Sequence, residues 1–158
     1  MSTASIELEF TSPFSRETVF KAFGDFHTIA PEVIPQVFKS IETVEGDGGV
    51  GTIRLFTFGD GVPFTSGKYK QGAIDATNFS YNYSFFEGDN LMGILDSIDH
   101  YVNIVPSAEG GSVFKQTVIY NCKGDDKPST DVLNFEKEIY EKTYKAIEAY
   151  AVAHPETY

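Results

Sequence analysis

Strict alternation opens the chain. Ile6, Leu8 and Phe10 are apolar while Glu7 and Glu9 are charged, the period-two signature of a strand with one buried face. Pro13 breaks the pattern, and Ser15 is placed to cap a short helix whose apolar positions Val19, Phe20 and Phe23 share one face. A second short helix is predicted within 28–34. Pro31 then belongs in its first turn, where a missing amide costs nothing, and Pro35 ends it.

From there to residue 121 the pattern is strands and turns. Strands are predicted at 37–44, 53–58, 64–74, 79–86, 94–105 and 113–121. The connections are short and mostly glycine-bearing: Glu45 to Thr52, Gly59-Asp60-Gly61, Asp75 to Asn78, Glu87 to Asn90 and Glu109-Gly110-Gly111. Consecutive strands joined this way are hairpins, so the sheet is antiparallel. After Lys123-Gly124-Asp125 one long helix is predicted over 130–153, ended by Pro155. Val132, Phe135, Ile139, Thr143, Ala146, Ile147 and Tyr150 form its apolar stripe, and Asp131, Lys137, Glu138, Glu141, Lys145 and Glu148 its polar face. The order is strand, two short helices, six strands, long helix, an α+β plan. A seven-stranded curved sheet has only that one long helix as its main apolar cover. One helix cannot fill a sheet so wide, so the pattern predicts a partly hollow core.

Composition narrows the partners. The 158 residues form one domain's worth of chain, 1–158, with no linker or repeat inside it. Twelve basic against 23 acidic side chains leave a formal charge of -11, which argues against nucleic acid and against anionic lipid as partners. No apolar run approaches the ~20 residues of a membrane span, and the first residues lack the basic-then-apolar order of a secretory signal. A cytosolic, monomeric protein is the expectation. The single cysteine, Cys122, leaves no internal disulfide, and His27, His100 and His154 lack ligand spacing, so neither metal nor cofactor is expected.

Three local strings add an outside reference: Phe38-Lys39-Ser40, Glu45-Gly46-Asp47-Gly48-Gly49-Val50-Gly51-Thr52-Ile53 and Lys123-Gly124-Asp125. With Pro63-Phe64, Asn78-Phe79, Tyr81 to Ser84, Glu87-Gly88 and Ala153-His154, they resemble the class 10 pathogenesis-related plant proteins, the family of the major birch-pollen allergen. The likeness spans the whole chain, with one deletion around 24–28. It implies a helix-grip fold: the sheet wraps the long helix around a large internal cavity, and the two short helices form a V beneath that helix. It also implies binding of small amphipathic molecules such as flavonoids, cytokinins and sterol-like compounds, a stress-linked defence role and an allergenic character. Some relatives are enzymes of alkaloid synthesis, and others are credited with a ribonuclease activity.

Gly46-x-Gly48-x-x-Gly51 matches a dinucleotide fingerprint by letter only. A phosphate loop opens a helix, whereas here Thr52 to Phe56 continue as a strand, and Glu45 and Asp47 would repel phosphate. The plain reading is a rigid connection whose glycines supply positive φ. The ribonuclease relatives' acidic and tyrosine positions correspond to Asp96, Glu148 and Tyr150, and the negative chain repels such a substrate. The four functional positions of norcoclaurine synthase, a distant relative, correspond to Gly67, Tyr69, Tyr81 and His100, none of which matches its residues. The turn Gly59 to Phe64 likewise lacks the gate string of the abscisic acid receptors.

The aromatic stripe carries the functional expectation. Phe79, Tyr81, Tyr83 and Phe85 share one strand face by parity, with Phe56, Phe58 and Phe64 on neighbouring strands. For any single Phe, core packing is the plainer reading. A buried Tyr needs a hydrogen-bond partner, so hydroxyls beside Ser66, Arg54 and His100 describe a small-molecule pocket, apolar with a few polar anchors. Tyr69, Ile98, Val102 and Phe114 join that wall from the sheet, Ile6 and Leu8 from the first strand. Phe23 joins from the first helix, and Phe135, Ile139 and Thr143 from the last. Arg54 stands either as an anchor for a phenolate, carboxylate or carbonyl or in a structural ion pair. His100 is either a satisfied core residue, the favoured reading, or a group that titrates near neutrality. The expected function is binding, storage or carriage of a small hydrophobic or phenolic ligand; the alternative is a cyclase, isomerase or condensing enzyme working in the same hollow.

Overall fold

In the computed structural model, which describes residues 2–158, the opening alternation forms β1 (Thr3–Ser12). Pairing with the last strand carries it beyond both ends of the 6–10 pattern, from Thr3 opposite Asn121 to Ser12 opposite Ser112. The Ser15 hydroxyl accepts from the Thr18 amide at 3.3 Å and so caps α1 (Arg16–Gly24).

The second helix corrects the expectation: α2 runs Phe26–Val33, so Pro31 sits past the first turn. The Asp25 carbonyl already accepts from the Thr28 and Ile29 amides at 2.9 and 3.0 Å, which nucleates the helix two residues early. Pro31 therefore costs the helix one internal bond, and α2 closes two residues later, before Pro35.

The remaining strands are β2 (Phe38–Glu45), β3 (Ile53–Phe58), β4 (Ser66–Asp75), β5 (Ser80–Gly88), β6 (Leu95–Pro106) and β7 (Ser112–Cys122). All are antiparallel in one sheet of order β1-β7-β6-β5-β4-β3-β2. Irregular register at Phe38/Ser40, Thr43/Glu45, Lys68/Tyr69, Gln71/Ile74 and Leu95/Ser97 marks where extra residues bend the strands. Two boundaries differ from the pattern. Phe64 lies in the turn before β4, and Phe79 adopts a left-handed φ of 56° before β5. Phe79 is thus outside the strand and does not share the parity of Tyr81; it packs edge-on against Phe20 at 5.5 Å beneath the Arg16 guanidinium.

The loop between β2 and β3 uses its glycines as the sequence requires. Gly46, Gly48 and Gly51 have φ of 98°, 101° and 89°, and a Cβ on Gly46 would stand 2.8 Å from Thr52 Cα. The Gly48 amide donates to Thr52 Oγ1 at 2.8 Å, locking the loop onto the next strand.

Helix α3 (Thr130–Ala153) starts at Ser129, whose hydroxyl accepts from the Val132 amide. Its sealed line is Glu136, Ile139, Thr143, Tyr144, Ile147 and Ala151, turned from the predicted stripe toward the next residue. Side chains one residue apart lie ~100° apart on a helix, so this turn replaces Phe135 by Glu136 on the inner face. Among the described residues, no helix is long and apolar enough to cross a membrane.

Candidate functional site

The inner face of the sheet and α3 do not meet everywhere. Between them lies a cavity of about 210 Å³. A single water needs only ~10–15 Å³ measured this way, so the space exceeds any water-sized packing gap. Most of its wall is rings. Phe56 and Phe58 come from β3, Tyr69 from β4, and Tyr81, Tyr83 and Phe85 from β5. Successive inward residues of one strand stand two apart, which puts Tyr81 and Tyr83 in a stack at 6.1 Å. Ile98 and His100 of β6 and Phe114 of β7 extend the floor; Phe23, Ile139 and Thr143 close the helical side, and Phe64 the loop side.

The remaining candidates lie elsewhere. Ile6 and Leu8 face inward from β1 and pack with the main apolar cluster, but neither lines the cavity. Val102 also faces inward, yet it packs with Val19, Ile104, Phe114 and Tyr144 in a separate cluster beside α1. Ser66 has the outward parity of β4 together with Lys68, which pairs with Glu87 across the outer face at 3.3 Å; its amide donates to Asp89. Phe135 packs on the flank of the core and is absent from the cavity wall. Asp96, Glu148 and Tyr150 also stand off the wall, with Asp96 exposed.

Polar groups are few and placed at separate points. Arg54 pairs with no carboxylate among the described residues; its Nε donates to Thr43 Oγ1 at 3.1 Å, and its guanidinium lies 5.9 Å from the Tyr69 ring. The ion-pair alternative therefore gives way to a cation held by a hydroxyl and a ring. Burial pushes the Tyr69 phenol up to about 12 against the easing effect of Arg54, so it stays a neutral donor, bonded to Gln71 Oε1.

His100 is 1% exposed. Its Nδ1 accepts from the Gln116 amide at 3.0 Å, which leaves the proton on Nε2, and that atom has no partner. The ring is stacked flat on Tyr83 at 4.4 Å with Tyr140 edge-on at 5.5 Å. Burial depresses its pKa to about 3, so it is a neutral imidazole across the physiological range and no near-neutral acid or base.

Sequence reasoning passed over Glu136, Tyr140 and Tyr144 on α3, Gln71 on β4, Gln116 on β7, and Phe20, Phe26 and His27 on the short helices, all of which line the cavity. The glutamines left a readable trace, because each interrupts an apolar alternation at an inward position: Tyr69-x-Gln71 and Phe114-x-Gln116-x-Val118. Glu136 left none. Phe135 and Glu136 are both neighbours of Ile139 on the preceding turn, four and three residues back, and polarity pointed to Phe135.

Comparison with known proteins places this geometry. The sequence profile of the Pathogenesis-related protein Bet v 1 family matches residues 1–154. A root allergen protein of Taraxacum officinale is 53% identical over 97% of this chain and 98% of its own length. The crystal structure of Ara h 8.0201 superposes with a TM-score of 0.83 at 31% identity, covering 96% of this chain and 99% of that one. Norcoclaurine synthase from Thalictrum flavum, solved with dopamine and hydroxybenzaldehyde, reaches a TM-score of 0.76 over 97% of this chain and 88% of its own at 21% identity, a likeness of fold alone.

Proposed function

This chain belongs to the Bet v 1 family of pathogenesis-related proteins, and from that premise we propose that it is a defence-related binding protein that stores, carries or presents one small, flat, largely apolar molecule. The observation that carries this reading is the 210 Å³ space walled by Phe and Tyr rings. Rings on opposite walls favour a planar guest, since offset and edge-on contacts add to plain burial. A guest that hides ~300 Å² of apolar surface gains roughly 7 kcal/mol before association costs. Micromolar affinity, about −8 kcal/mol, is expected once ring contacts are added, with loose selectivity. Arg54, Gln71, Gln116 and the phenols orient the guest, and a phenolic compound suits that mixture. Names of relatives as allergens and pathogenesis-related proteins support the defence setting. Cytosolic residence as a monomer completes the proposal.

The test is titration with 1-N-phenylnaphthylamine, a neutral dye that brightens on leaving water. Wild type is expected to bind it with a micromolar dissociation constant, and Ile139→Trp, which fills the cavity from α3, to abolish the signal while melting near the wild-type temperature. A native protein that never brightens the dye would overturn the reading.

A further inference from the structure

Glu136 is a feature of the cavity that a general receptor for apolar molecules does not need. It is 7% exposed and lines the wall. A buried carboxylate is costly unless it is paired, and a purely apolar pocket has no use for one. Among the described residues no Lys, Arg or His nitrogen lies within 4 Å of the Glu136 carboxylate. Its one hydrogen-bond donor is the Tyr120 hydroxyl, at 3.3 Å. Among the described residues Arg54 is the sole Lys or Arg on the cavity wall, and it is held at Thr43 and Tyr69 on β2 and β4. The cavity is thus bipolar, with a guanidinium at one point and a carboxyl without a counter-ion at another.

We propose that Glu136 makes this cavity a receptor for amines: it selects a ligand with a protonated amino group on an aromatic body, the ammonium seated on the Glu136 carboxylate beside the phenols of Tyr120 and Tyr140. An ammonium carries three N–H donors and no acceptor. The carboxylate and the Tyr140 phenol oxygen on the wall are acceptors, the Tyr120 hydroxyl donates to the carboxylate, and the rings of Tyr83, Phe85 and Tyr140 receive the aromatic body and attract the cation. The assignment deepens the binding reading and rests on it. Glu136 is none of the positions weighed for the condensing enzyme.

Proton linkage gives the proposal its own signature. Burial holds the Glu136 carboxyl up at about 7. Seating an ammonium requires the carboxylate, so below that pH each bound amine must displace a proton. The other titratable groups facing Glu136 do not interfere. Tyr120 of β7, Tyr140 of α3 and Tyr83 of β5 are phenols raised by burial, and His100 of β6 stays neutral. Between pH 5 and 8 Glu136 alone of these changes charge, and an alkyl amine stays protonated throughout.

The experiment compares 2-naphthylmethylamine with 2-naphthalenemethanol, its neutral counterpart of the same shape, by calorimetry on wild type and Glu136→Gln. At pH 8 wild type is expected to bind the amine about tenfold or more tightly than the alcohol, a difference of ~1.4 kcal/mol. Glu136→Gln is expected to erase that preference. In wild type the amine's affinity is expected to fall by up to about tenfold per pH unit on acidification below 7 while the alcohol's stays level. Alcohol binding without an amine preference, or a preference that survives Glu136→Gln, overturns the amine assignment and leaves the binding reading standing. Failure of both molecules to bind overturns the binding reading and this assignment with it. Should the variant fail to fold, the pH dependence of the wild-type preference decides alone: its absence is fatal.

Discussion

Glu136 and His100 are both nearly sealed from water, and burial moves their proton affinities in opposite directions. Glu136 rises from its ordinary value to about 7 and His100 falls to about 3. In each case the charged form is the one the fold disfavours. For Glu136 the folded state therefore binds its proton more tightly than the unfolded chain, and its contribution to stability is lost as pH rises from about 4.5 through 7. For His100 the contribution is present above 6.5 and lost as pH falls toward 3. Between 4.5 and 6.5 the two slopes oppose each other, so the pH profile of wild type alone hides both. Comparing Glu136→Gln with wild type removes the shared histidine. Without ligand the variant is expected to gain on wild type as pH rises, by up to roughly 3 kcal/mol between pH 4.5 and 8, read as urea midpoints. Arg54 gives a second residue-scale expectation. A guanidinium held by Thr43 and Tyr69 has donors left for an acidic guest, so Arg54→Ala is expected to weaken 2-naphthoate by about tenfold, a charged hydrogen bond's worth. The neutral dye should be unaffected. An unchanged dissociation constant for 2-naphthoate removes Arg54 from the anchors.

Among the elements, the glycine loop and α3 show how local chemistry becomes placement. Gly46 and Gly51 both have left-handed φ, but only Gly46 faces a backbone atom where a Cβ would go. Gly51→Ala is expected to cost the ~1–2 kcal/mol of a left-handed L-residue. Gly46→Ala should cost more, ~3 kcal/mol, because Thr52 must also shift; urea unfolding of the two variants ranks them. The extent of α3 was legible from the three-and-four spacing of its apolar residues and from Pro155, and so were the hairpin turns. The rotation of α3 was not. A stripe defined by Ile139, Thr143 and Ile147 admits either Phe135 or Glu136 on its inner border, and only the packing of the sheet against the helix selects. Ser66 and Phe79 differ from expectation for a related reason: a shift of one residue at a turn reverses the face of the adjoining strand positions. Pro31 shows the converse, a strong local rule overridden because the Asp25 carbonyl started α2 early.

Across the whole molecule, an open space inside a marginally stable fold makes ligand and stability inseparable. A guest that binds only the folded state at 100 times its dissociation constant adds ~2.7 kcal/mol. For a domain of this size that raises the melting temperature by roughly 5–10 °C, which differential scanning calorimetry with 1-N-phenylnaphthylamine checks; Ile139→Trp should show no such rise. The sequence by itself determined the element order, the antiparallel sheet, the family and the ring-rich inner face, because alternation, helical period, caps and glycine turns are local and each acts within a few residues. The tertiary structure alone decided that Ile6, Leu8 and Val102 stand off the cavity while Tyr140 and Tyr144 line it, and that a carboxylate stands among the rings. Those outcomes depend on how one helix lies across seven strands, a contact between segments far apart in the chain that no local pattern encodes.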